Sequence, residues 1–197
     1  MAEHYFTSRP TSPQKKETIR TNLRGLDLQF TTSSGVFSAS GIDKGTAVLI
    51  EYAQIEGNEH LLDLGCGYGP VGIALKKAFP SLQVTCSDIN ERAVFSAREN
   101  SRNNHVEIKT VISDGFVKIP DEFDTILLNP PQSAGRDVCE RLIKESFEHL
   151  KKGGNFQLVA RHQKGGATLA NIMESIFGNV ATVKTKSGYR VYISKKD

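Results

Sequence analysis

The stretch that decides the fold is Leu61-Leu62-Asp63-Leu64-Gly65-Cys66-Gly67-Tyr68-Gly69-Pro70. Here an apolar run that contains one acid ends in glycines at alternate positions, and an apolar helical pattern follows over residues 71–75. Glycine permits a left-handed backbone and a close approach to a ligand, because it carries no Cβ. The stretch therefore predicts a strand, a glycine-rich turn and a helix that together bind a nucleotide cofactor.

Two classes of cofactor compete for this turn. Residues 67–72 satisfy the dinucleotide pattern G-x-G-x-x-G, and Asp88 follows about 20 residues later, as in dinucleotide-binding folds. However, the strand runs into Gly65, and Asp63 lies one position before the end of the strand. A carboxylate at that point repels a pyrophosphate but attracts a cationic amino-acid group. The charge of the strand thus favours a cofactor that carries an ammonium group.

The pattern Asp-x-Gly-x-Gly-x-Gly over residues 63–69 resembles motif I of the class I S-adenosylmethionine (SAM) methyltransferases. This resemblance implies that Asp63 serves the methionine ammonium group of SAM and that the turn passes beside the adenosine. The alternative is an ordinary tight turn between a strand and a helix. The other predicted cofactor-binding residues of the turn are Leu64, Gly65, Cys66, Gly67 and Gly69.

Composition limits the class of protein. The chain has 197 residues, of which 38% are hydrophobic and 24% charged, as expected for one globular domain. No apolar run reaches the length of a membrane span, and the N-terminus lacks an apolar signal core, which predicts a cytoplasmic protein. Three cysteines without a Cys-x-x-Cys spacing and scattered histidines argue against disulfides and a metal site. We expect Cys66 and Cys86 to lie near each other as small buried residues.

Strand and helix patterns alternate regularly after the glycine turn. This alternation predicts a parallel sheet with helices on both faces. The predicted strands are residues 82–86, 106–112, 125–128 and 155–160, and the predicted helices are residues 42–53, 90–103, 136–150 and 167–177.

Turn signals divide the remaining chain. Gly153-Gly154 is predicted to stop the helix over residues 136–150. Residues 180–185 and 189–194 alternate and are predicted to form a hairpin. The resemblance to methyltransferases implies that this hairpin adds an antiparallel edge strand to the sheet.

The N-terminal part is predicted to be an arm followed by a small hairpin. Residues 7–18 are polar and contain two prolines, which predicts a loop. Residues 26–31 are predicted to pair with residues 36–38 across the turn signal of residues 32–35. We expect a single domain over residues 1–197, made of this arm and hairpin (1–41) and a SAM-binding core (42–197).

Two acids follow the second and third strands of the cofactor unit, where open α/β sheets bind ligands. Asp88 is predicted to accept hydrogen bonds from the ribose hydroxyls, although Asp88 or Asn90 could instead cap the next helix. Ile89 is predicted to pack on the adenine. Asp114, followed by Gly115, is predicted to accept from the adenine amine or simply to form a turn.

The run Asn129-Pro130-Pro131 ends the fourth predicted strand and resembles motif IV of methyltransferases that act on planar nitrogens. The lone pair of such a nitrogen is delocalised, so the nitrogen attacks poorly until its hydrogens leave the plane. The Asn129 side-chain oxygen and the Pro130 carbonyl are predicted to accept those hydrogens beside the SAM methyl group, with both prolines holding them rigid. The alternative is a strand that is merely ended by prolines. Where the family has an aromatic residue, this chain has Gln132, so the target is held differently or one of these rings replaces it: Tyr5, Phe6, Phe37 or Tyr189.

Nearly the whole chain resembles the small-domain ribosomal RNA guanine-N2 methyltransferases. The resemblance rests on these segments and their order: His4-Tyr5-Phe6, Gly35-Val36-Phe37-Ser38, Asp43-x-Gly45-Thr46, the glycine turn and Asn129-Pro130-Pro131. Archaeal single-domain members are similar also at residues 134–135 and over the tail, residues 178–191. The resemblance implies that Phe37, Gly45 and Thr46 close over the methionine end of SAM. Lys44, between them, faces RNA phosphate or solvent.

The sequence thus predicts a SAM-dependent N-methyltransferase with a Rossmann-like, doubly wound, mostly parallel sheet. Its predicted acceptor is an exocyclic amine, above all guanine N2 in ribosomal RNA or a ribosomal particle. Both ends of the chain are basic and the middle is acidic, which suits a polyanionic substrate or a merely solvated surface. The predicted phosphate contacts are Lys15, Lys16, Arg136, Arg161 and Lys164, and the predicted substrate-binding residues are Lys44, Gln132 and Arg136.

Other functions fit part of this pattern. Protein glutamine and DNA adenine methyltransferases use similar Asn/Asp-Pro-Pro motifs. An RNA-binding scaffold with a degenerate site would account for Gln132. An NAD(P) oxidoreductase would need a hydride-transfer site that the sequence lacks. The sequence is compatible with a monomer or a homodimer.

Overall fold

The computed structural model describes residues 16–33, 41–130 and 135–197. These residues form a two-stranded hairpin and a seven-stranded sheet that is flanked by helices. The elements are β1 (Lys16–Leu23), β2 (Leu26–Ser33), α1 (Lys44–Tyr52), β3 (His60–Leu64), α2 (Pro70–Ala78), β4 (Gln83–Asp88), α3 (Glu91–Asn103), β5 (Lys109–Ile112), β6 (Phe123–Leu128), α4 (Arg136–Glu148), β7 (Leu150–Arg161), a π-helical turn (His162–Gly166), α5 (Ala167–Phe177), β8 (Ala181–Lys186) and β9 (Tyr189–Lys195).

The strands of the large sheet lie in the order β5-β4-β3-β6-β7-β9-β8. Strands β3 to β7 are parallel to one another, whereas β9 is antiparallel to both β7 and β8. The chain builds outward from β3 to β5 and then returns to the other side of β3 with β6. In a doubly wound sheet this reversal opens a crevice at the carboxyl ends of the two central strands. The predicted Rossmann-like, mostly parallel sheet with an antiparallel edge is therefore confirmed.

Buried side chains fill both faces of the sheet, as alternation along a strand requires. On β3, Leu61 joins the core that α1, α2 and α3 cover, whereas Leu62 and Leu64 join the core beneath α4 and α5. On β6, Leu127 and Leu128 divide between the two faces in the same way. Within the described ranges, none of the helices has both the length and the apolar character that a bilayer crossing requires.

The N-terminal hairpin differs from the prediction. Strand β2 pairs with β1, from Leu23 opposite Leu26 to Lys16 opposite Ser33. The turn consists of Arg24 and Gly25, both with positive φ, which is the geometry of a two-residue hairpin turn. The expectation of a loop over residues 7–18 is wrong for residues 16–18, and residues 36–38, the predicted partner of β2, lie outside the described residues. Sequence reasoning missed β1 because this exposed strand carries no continuous apolar stripe.

Two asparagines at the end of α3, Asn100 in its last turn and Asn104 at its C-cap, bind the hairpin to the rest of the fold. Asn100 accepts from the backbone N–H of Thr31 (2.7 Å) and donates to its carbonyl (2.9 Å). Asn104 makes the same pair of bonds with the backbone of Gln29, at 3.1 and 2.7 Å. A side-chain amide carries an NH2 group that donates and an oxygen that accepts, so each asparagine satisfies the edge of β2 as a neighbouring strand would. Asn100 also donates to the carbonyl of Tyr68 in the glycine turn (2.9 Å), which connects the hairpin to the site.

Gly153 and Gly154 do not stop a helix. Helix α4 ends at Glu148, and both glycines lie inside β7, where its pairing with β6 is irregular. A Cβ on Gly154 would come within 2.8 Å of the carbonyl oxygen of Asp124 and 2.9 Å of that of Lys151. The glycines therefore permit a close approach of two backbones. A pair of glycines in a sequence can indicate such an approach as well as the end of a helix.

Candidate active site

The glycine turn after β3 has the conformation that the motif predicts. Gly65, Gly67 and Gly69 have φ values of 70°, 55° and 89°. A Cβ on Gly65 would meet no atom within 4 Å, so the backbone there is open to a ligand. A Cβ on Gly69 would lie 2.9 Å from Ile73 Cδ1 and 3.0 Å from Ala97 Cβ. Glycine at position 69 therefore allows the turn to pack against α3.

A cavity of about 450 Å³ opens at the carboxyl ends of β3, β6 and β7. The first turns of α1 and α4, the π-helical turn and the start of β9 form its other walls. The predicted site residues that line it are Thr46, Asp63, Gly65, Cys66, Gly67, Asn129, Pro130 and Arg136. Residues from five separate stretches of the sequence thus meet where a doubly wound sheet binds its ligands.

Asp63 is a buried acid that lines this cavity. Its side chain is 3% exposed and accepts from the backbone N–H of Gly72 (2.9 Å), with the Cys86 thiol 3.9 Å away. Burial raises the pKa of Asp63 to about 7, against the lowering effect of the Gly72 N–H. No salt bridge reaches Asp63 within the described residues. A carboxylate of this kind is suited to bind a cationic group of a ligand.

The surroundings of the two thiols beside Asp63 favour their protonated form. A hydrogen bond with Cys86, together with burial, raises the pKa of Cys66. Burial also raises the pKa of Cys86, although its hydrogen bond with Cys66 acts in the opposite direction. The expected proximity of these two buried cysteines is confirmed. Within the parts of the chain that the structure covers, no group of three or more metal-ligating side chains occurs.

Asp88 stabilises the glycine turn through hydrogen bonds to the backbone. It accepts from the backbone N–H of Gly67 (2.9 Å) and from that of Asn90 (2.8 Å). Asn90 in turn caps α3 by accepting from the N–H of Arg92 (3.0 Å). Asp88 is 2% exposed and is not among the residues that line the cavity. Its role toward a ribose stays a prediction.

The acid after β5 is bound by a neighbouring helix. Asp114 forms a salt bridge with Arg141 of α4 at 2.7 Å, and its side chain is 55% exposed. This pair lies outside the lining of the cavity. Several other predicted residues are likewise not in the lining: Lys44, Gly45, Leu64, Gly69, Ile89 and Gly115. Leu64 packs in the core beneath α4 and α5.

Asn129 and Pro130 reach the cavity from the end of β6. The Asn129 Nδ2 atom donates to the Thr46 hydroxyl at 2.9 Å. Thr46 lies in the first turn of α1, and its hydroxyl donates to Asp43, the residue that caps this helix. Pro131, Gln132 and Phe37 lie outside the described residues, so their predicted roles stay predictions.

The sequence analysis predicted Arg161 as one of several phosphate contacts and did not predict that it lines the cofactor cavity. In the structure Arg161 lines the cavity, and its guanidinium carbon lies 5.1 Å from the centre of the Tyr189 ring. The buried Nε atom of Arg161 has no hydrogen-bond partner among the described residues. Lys164 lines the same side. Only the position of these residues at the end of β7, next to the crevice, could have signalled their proximity to the site.

Comparison with known proteins gives consistent matches. The family model for the methyltransferase small domain matches residues 27–193. The uncharacterized protein YbxB of Bacillus subtilis (strain 168) is 37% identical over 202 residues, which cover 100% of both chains. Ribosomal RNA small subunit methyltransferase C of Shewanella amazonensis is 36% identical over 96% of this chain and 55% of its own length. The chain therefore spans about half the length of the ribosomal RNA methyltransferases that it matches.

Solved structures show the same fold. The Thermus thermophilus 16S rRNA N2 G1207 methyltransferase (RsmC), solved with AdoMet and guanosine, superimposes with a TM-score of 0.81 at 24% identity, over 95% of this chain and 52% of that one. A methyltransferase from Pyrococcus furiosus superimposes with a TM-score of 0.68 at 22% identity, over 82% and 89%. The chain belongs to the methyltransferase small domain family, as its glycine turn and Asn-Pro-Pro run predicted.

Proposed function

We propose that the protein transfers a methyl group from SAM to an exocyclic amine, and that this amine is guanine N2 of ribosomal RNA. The observation that carries the proposal is the convergence of two sites on one cavity. The buried Asp63 and the glycine turn line this cavity from β3, and the acceptors Asn129 and Pro130 line it from the end of the neighbouring strand β6. A cofactor site and an amine-binding site must adjoin in this way for direct transfer.

The cavity has the chemistry that SAM requires. Asp63 offers a negative charge to the methionine ammonium group, and it is not paired with a cation of the described residues. The open backbone at Gly65 provides space for the cofactor. Apolar side chains such as Val71, Val159 and Leu169 complete the wall and limit the entry of water. When bound, SAM supplies a methyl group on a positively charged sulfur.

The residues of the chain then prepare the acceptor amine. The Asn129 Oδ1 atom and the Pro130 carbonyl oxygen accept its two hydrogens and favour a pyramidal nitrogen. The lone pair of that nitrogen leaves the conjugated system and points toward the methyl group. Because positioned acceptors stabilise the charge that develops on the amine, no strong base is needed before transfer.

Several features support RNA as the substrate. The relatives named for ribosomal RNA methylation match most of this chain, although they are about twice as long. Arg136, Arg161 and Lys164 bring positive charge to the cavity. Within the described residues Arg161 and Lys164 form no salt bridge, so both are available for phosphate. Among the rings predicted to replace the aromatic residue at position 132, Tyr189 lines the cavity and is placed to stack on the target base.

The test is transfer of labelled methyl from SAM to separate pools of unmodified ribosomal RNA, DNA and protein. Labelled RNA is digested to nucleosides, and we expect the label in N2-methylguanosine. Label in DNA or protein instead would support the adenine or glutamine methyltransferase alternatives and refute the RNA assignment. SAM binding with no transfer to any pool would favour the scaffold alternative.

The same assay tests the acceptor residue. Asn129→Ala should abolish transfer, because one of the two acceptors for the amine is lost, while the Kd for SAM stays near that of the wild type. A full rate for Asn129→Ala would refute the proposed role of this residue. RNA binding should also weaken steeply with salt, because phosphate contacts release counterions, and an affinity that is independent of salt would contradict an RNA substrate.

A further inference from the structure

A chain of three side chains connects the start of α1 to the proposed acceptor residue. Asp43 caps α1, and its Oδ1 atom accepts from the backbone N–H groups of Gly45 (2.9 Å) and Thr46 (3.1 Å). The other oxygen, Oδ2, accepts from the Thr46 hydroxyl. The Thr46 hydroxyl oxygen then accepts from Asn129 Nδ2 at 2.9 Å. Thr46 is 5% exposed, so water does not compete freely for these bonds.

This chain has a defined direction. A carboxylate has only acceptors, so the single hydroxyl proton of Thr46 must point to Asp43. The hydroxyl then presents only lone pairs to Asn129. The amide of Asn129 must therefore turn its NH2 group toward Thr46, and its Oδ1 atom faces away from Thr46. The charge of Asp43 thus determines, through Thr46, which end of the Asn129 amide is free for the substrate.

We propose that Asp43 and Thr46 are positioning residues that hold the Asn129 amide with its oxygen toward the target amine. This inference rests on the proposed function, in which Asn129 Oδ1 accepts a hydrogen of that amine. A flipped amide would present an NH2 group to the substrate NH2 group, so two donors would face each other and the acceptor would be lost. A random orientation of the amide would have the same effect in part of the molecules.

Asp43→Asn separates this role from the capping of the helix. Asparagine is as good an N-cap as aspartate, so its oxygen can still accept from the two N–H groups of α1. Its NH2 group then faces Thr46 and donates to the hydroxyl. The hydroxyl proton becomes free to point at Asn129, and the amide of Asn129 is expected to flip. We expect kcat to fall about 10- to 100-fold, which is less than the fall when a stabilising group is removed altogether. Tm and the Kd for SAM should stay near those of the wild type.

A second substitution should restore the direction of the chain. In the Asp43→Asn background, Asn129→Asp provides one oxygen to accept from Thr46 and another to accept from the substrate amine. In the wild-type background, Asn129→Asp places two carboxylates around one hydroxyl proton and should lower kcat. The double variant is therefore expected to have a higher kcat than either single variant, which independent effects would not produce.

Two further variants complete the test. Thr46→Ser keeps the hydroxyl and should retain most of kcat, whereas Thr46→Val should lower kcat as Asp43→Asn does. The matched control is Asp27→Asn, which removes one carboxylate from the N-terminal hairpin, where Asp27 accepts from Asn22 at 2.8 Å. This control should leave kcat unchanged.

The outcomes distinguish this inference from the function on which it rests. If Asn129→Ala keeps full activity, the proposed function is wrong at this residue. If Asn129→Ala is inactive but Asp43→Asn has a wild-type kcat, the positioning role is refuted. A double variant no better than the worse single variant would also refute it. The same holds if Asp43→Asn lowers Tm, or weakens SAM binding as strongly as it lowers kcat, because Asp43 would then act only as a cap or a cofactor ligand.

Discussion

Asp63→Asn is expected to abolish a strong pH dependence of SAM binding. Burial raises the pKa of Asp63 to about 7 in the free protein, although the Gly72 N–H opposes this effect. Only the ionised carboxylate attracts the methionine ammonium group, so the binding-competent fraction of the protein should rise with pH. Asparagine has nearly the same shape and can still accept from Gly72, but it has no charge to titrate.

The magnitude follows from the ionised fraction. With a pKa of about 7, roughly half of the molecules are ionised at pH 7 and about 1% at pH 5. Because the apparent Kd equals the intrinsic Kd divided by the competent fraction, it should be about fiftyfold weaker at pH 5 than at pH 7. Asp63→Asn should bind SAM more weakly than the wild type at pH 7, with a Kd that changes little over this range.

Isothermal titration calorimetry between pH 5 and 7 measures this difference. The range ends at pH 7 because an α-amino group loses its own proton near pH 8. At pH 5 to 6 binding should release nearly one proton per SAM, and the release is read from buffers with different ionisation enthalpies. A wild-type Kd that is constant from pH 5 to 7 would refute the reasoning, as would an equal slope in Asp63→Asn.

The same group should affect the stability of the free protein, with a definite sign. The folded-state pKa is raised above the ordinary value of 3.8, so folding favours the protonated form. The contribution is fully present below about pH 4 and is lost as pH rises through 7. A shift of about three pH units corresponds to at most about 4 kcal/mol. Asp63→Asn should therefore raise Tm relative to the wild type at pH 8 and not at pH 4, and an unchanged difference between these pH values would contradict the shifted pKa.

The remaining predictions concern the support of the glycine turn. Asp88→Ala removes the acceptor of the N–H groups of Gly67 and Asn90, at a cost of about 1–3 kcal/mol for each unsatisfied group. Tm and SAM affinity should therefore both fall, and they should fall less in Asp88→Asn. An unchanged Tm in Asp88→Ala would count against a supporting role of Asp88. Gly72→Ala would place a Cβ in overlap with the Cys86 sulfur and should lower the free energy of unfolding in urea by about 1–3 kcal/mol. A second substitution, Cys86→Ala, should recover part of this loss, and a double variant less stable than Gly72→Ala would show that the overlap is not the cause.

The fold was predictable where local sequence and tertiary structure agree. The apolar run of β3, the alternate glycines and Pro70 each favour the same strand, turn and helix. The predicted helix over residues 167–177 coincides with α5 for the same reason. Gly153-Gly154 shows the opposite case. Its sequence fits a helix end equally well, and only the neighbouring backbone of Asp124 requires glycine there.

The hairpin and the details of the site depend on contacts between distant residues. Nothing near Gln29 or Thr31 indicates that asparagines about 70 residues later satisfy the backbone of β2. The salt bridge that holds Asp114 likewise comes from α4, on a different crossover. The motifs could indicate which side chains meet at the crevice, because the carboxyl ends of parallel strands share one edge. The motifs could not indicate which polar atoms already form hydrogen bonds or salt bridges within the protein.

The pattern Asp43-x-Gly45-Thr46 shows how one short motif can serve both folding and chemistry. The carboxylate begins α1 with one oxygen and orders the Thr46 hydroxyl with the other. The glycine between them leaves room for this arrangement, since a Cβ on Gly45 would lie 2.9 Å from the Tyr189 ring and 3.1 Å from Asp43 Oδ1. The Thr46 hydroxyl in turn accepts from the amide of Asn129, which follows β6 and lies 83 positions away in the sequence. The resemblance implies contact with SAM for Gly45 and Thr46. The hydrogen bonds give a second physical reason for these residue types, because they join the cap of a helix to Asn129, the proposed acceptor of the target amine.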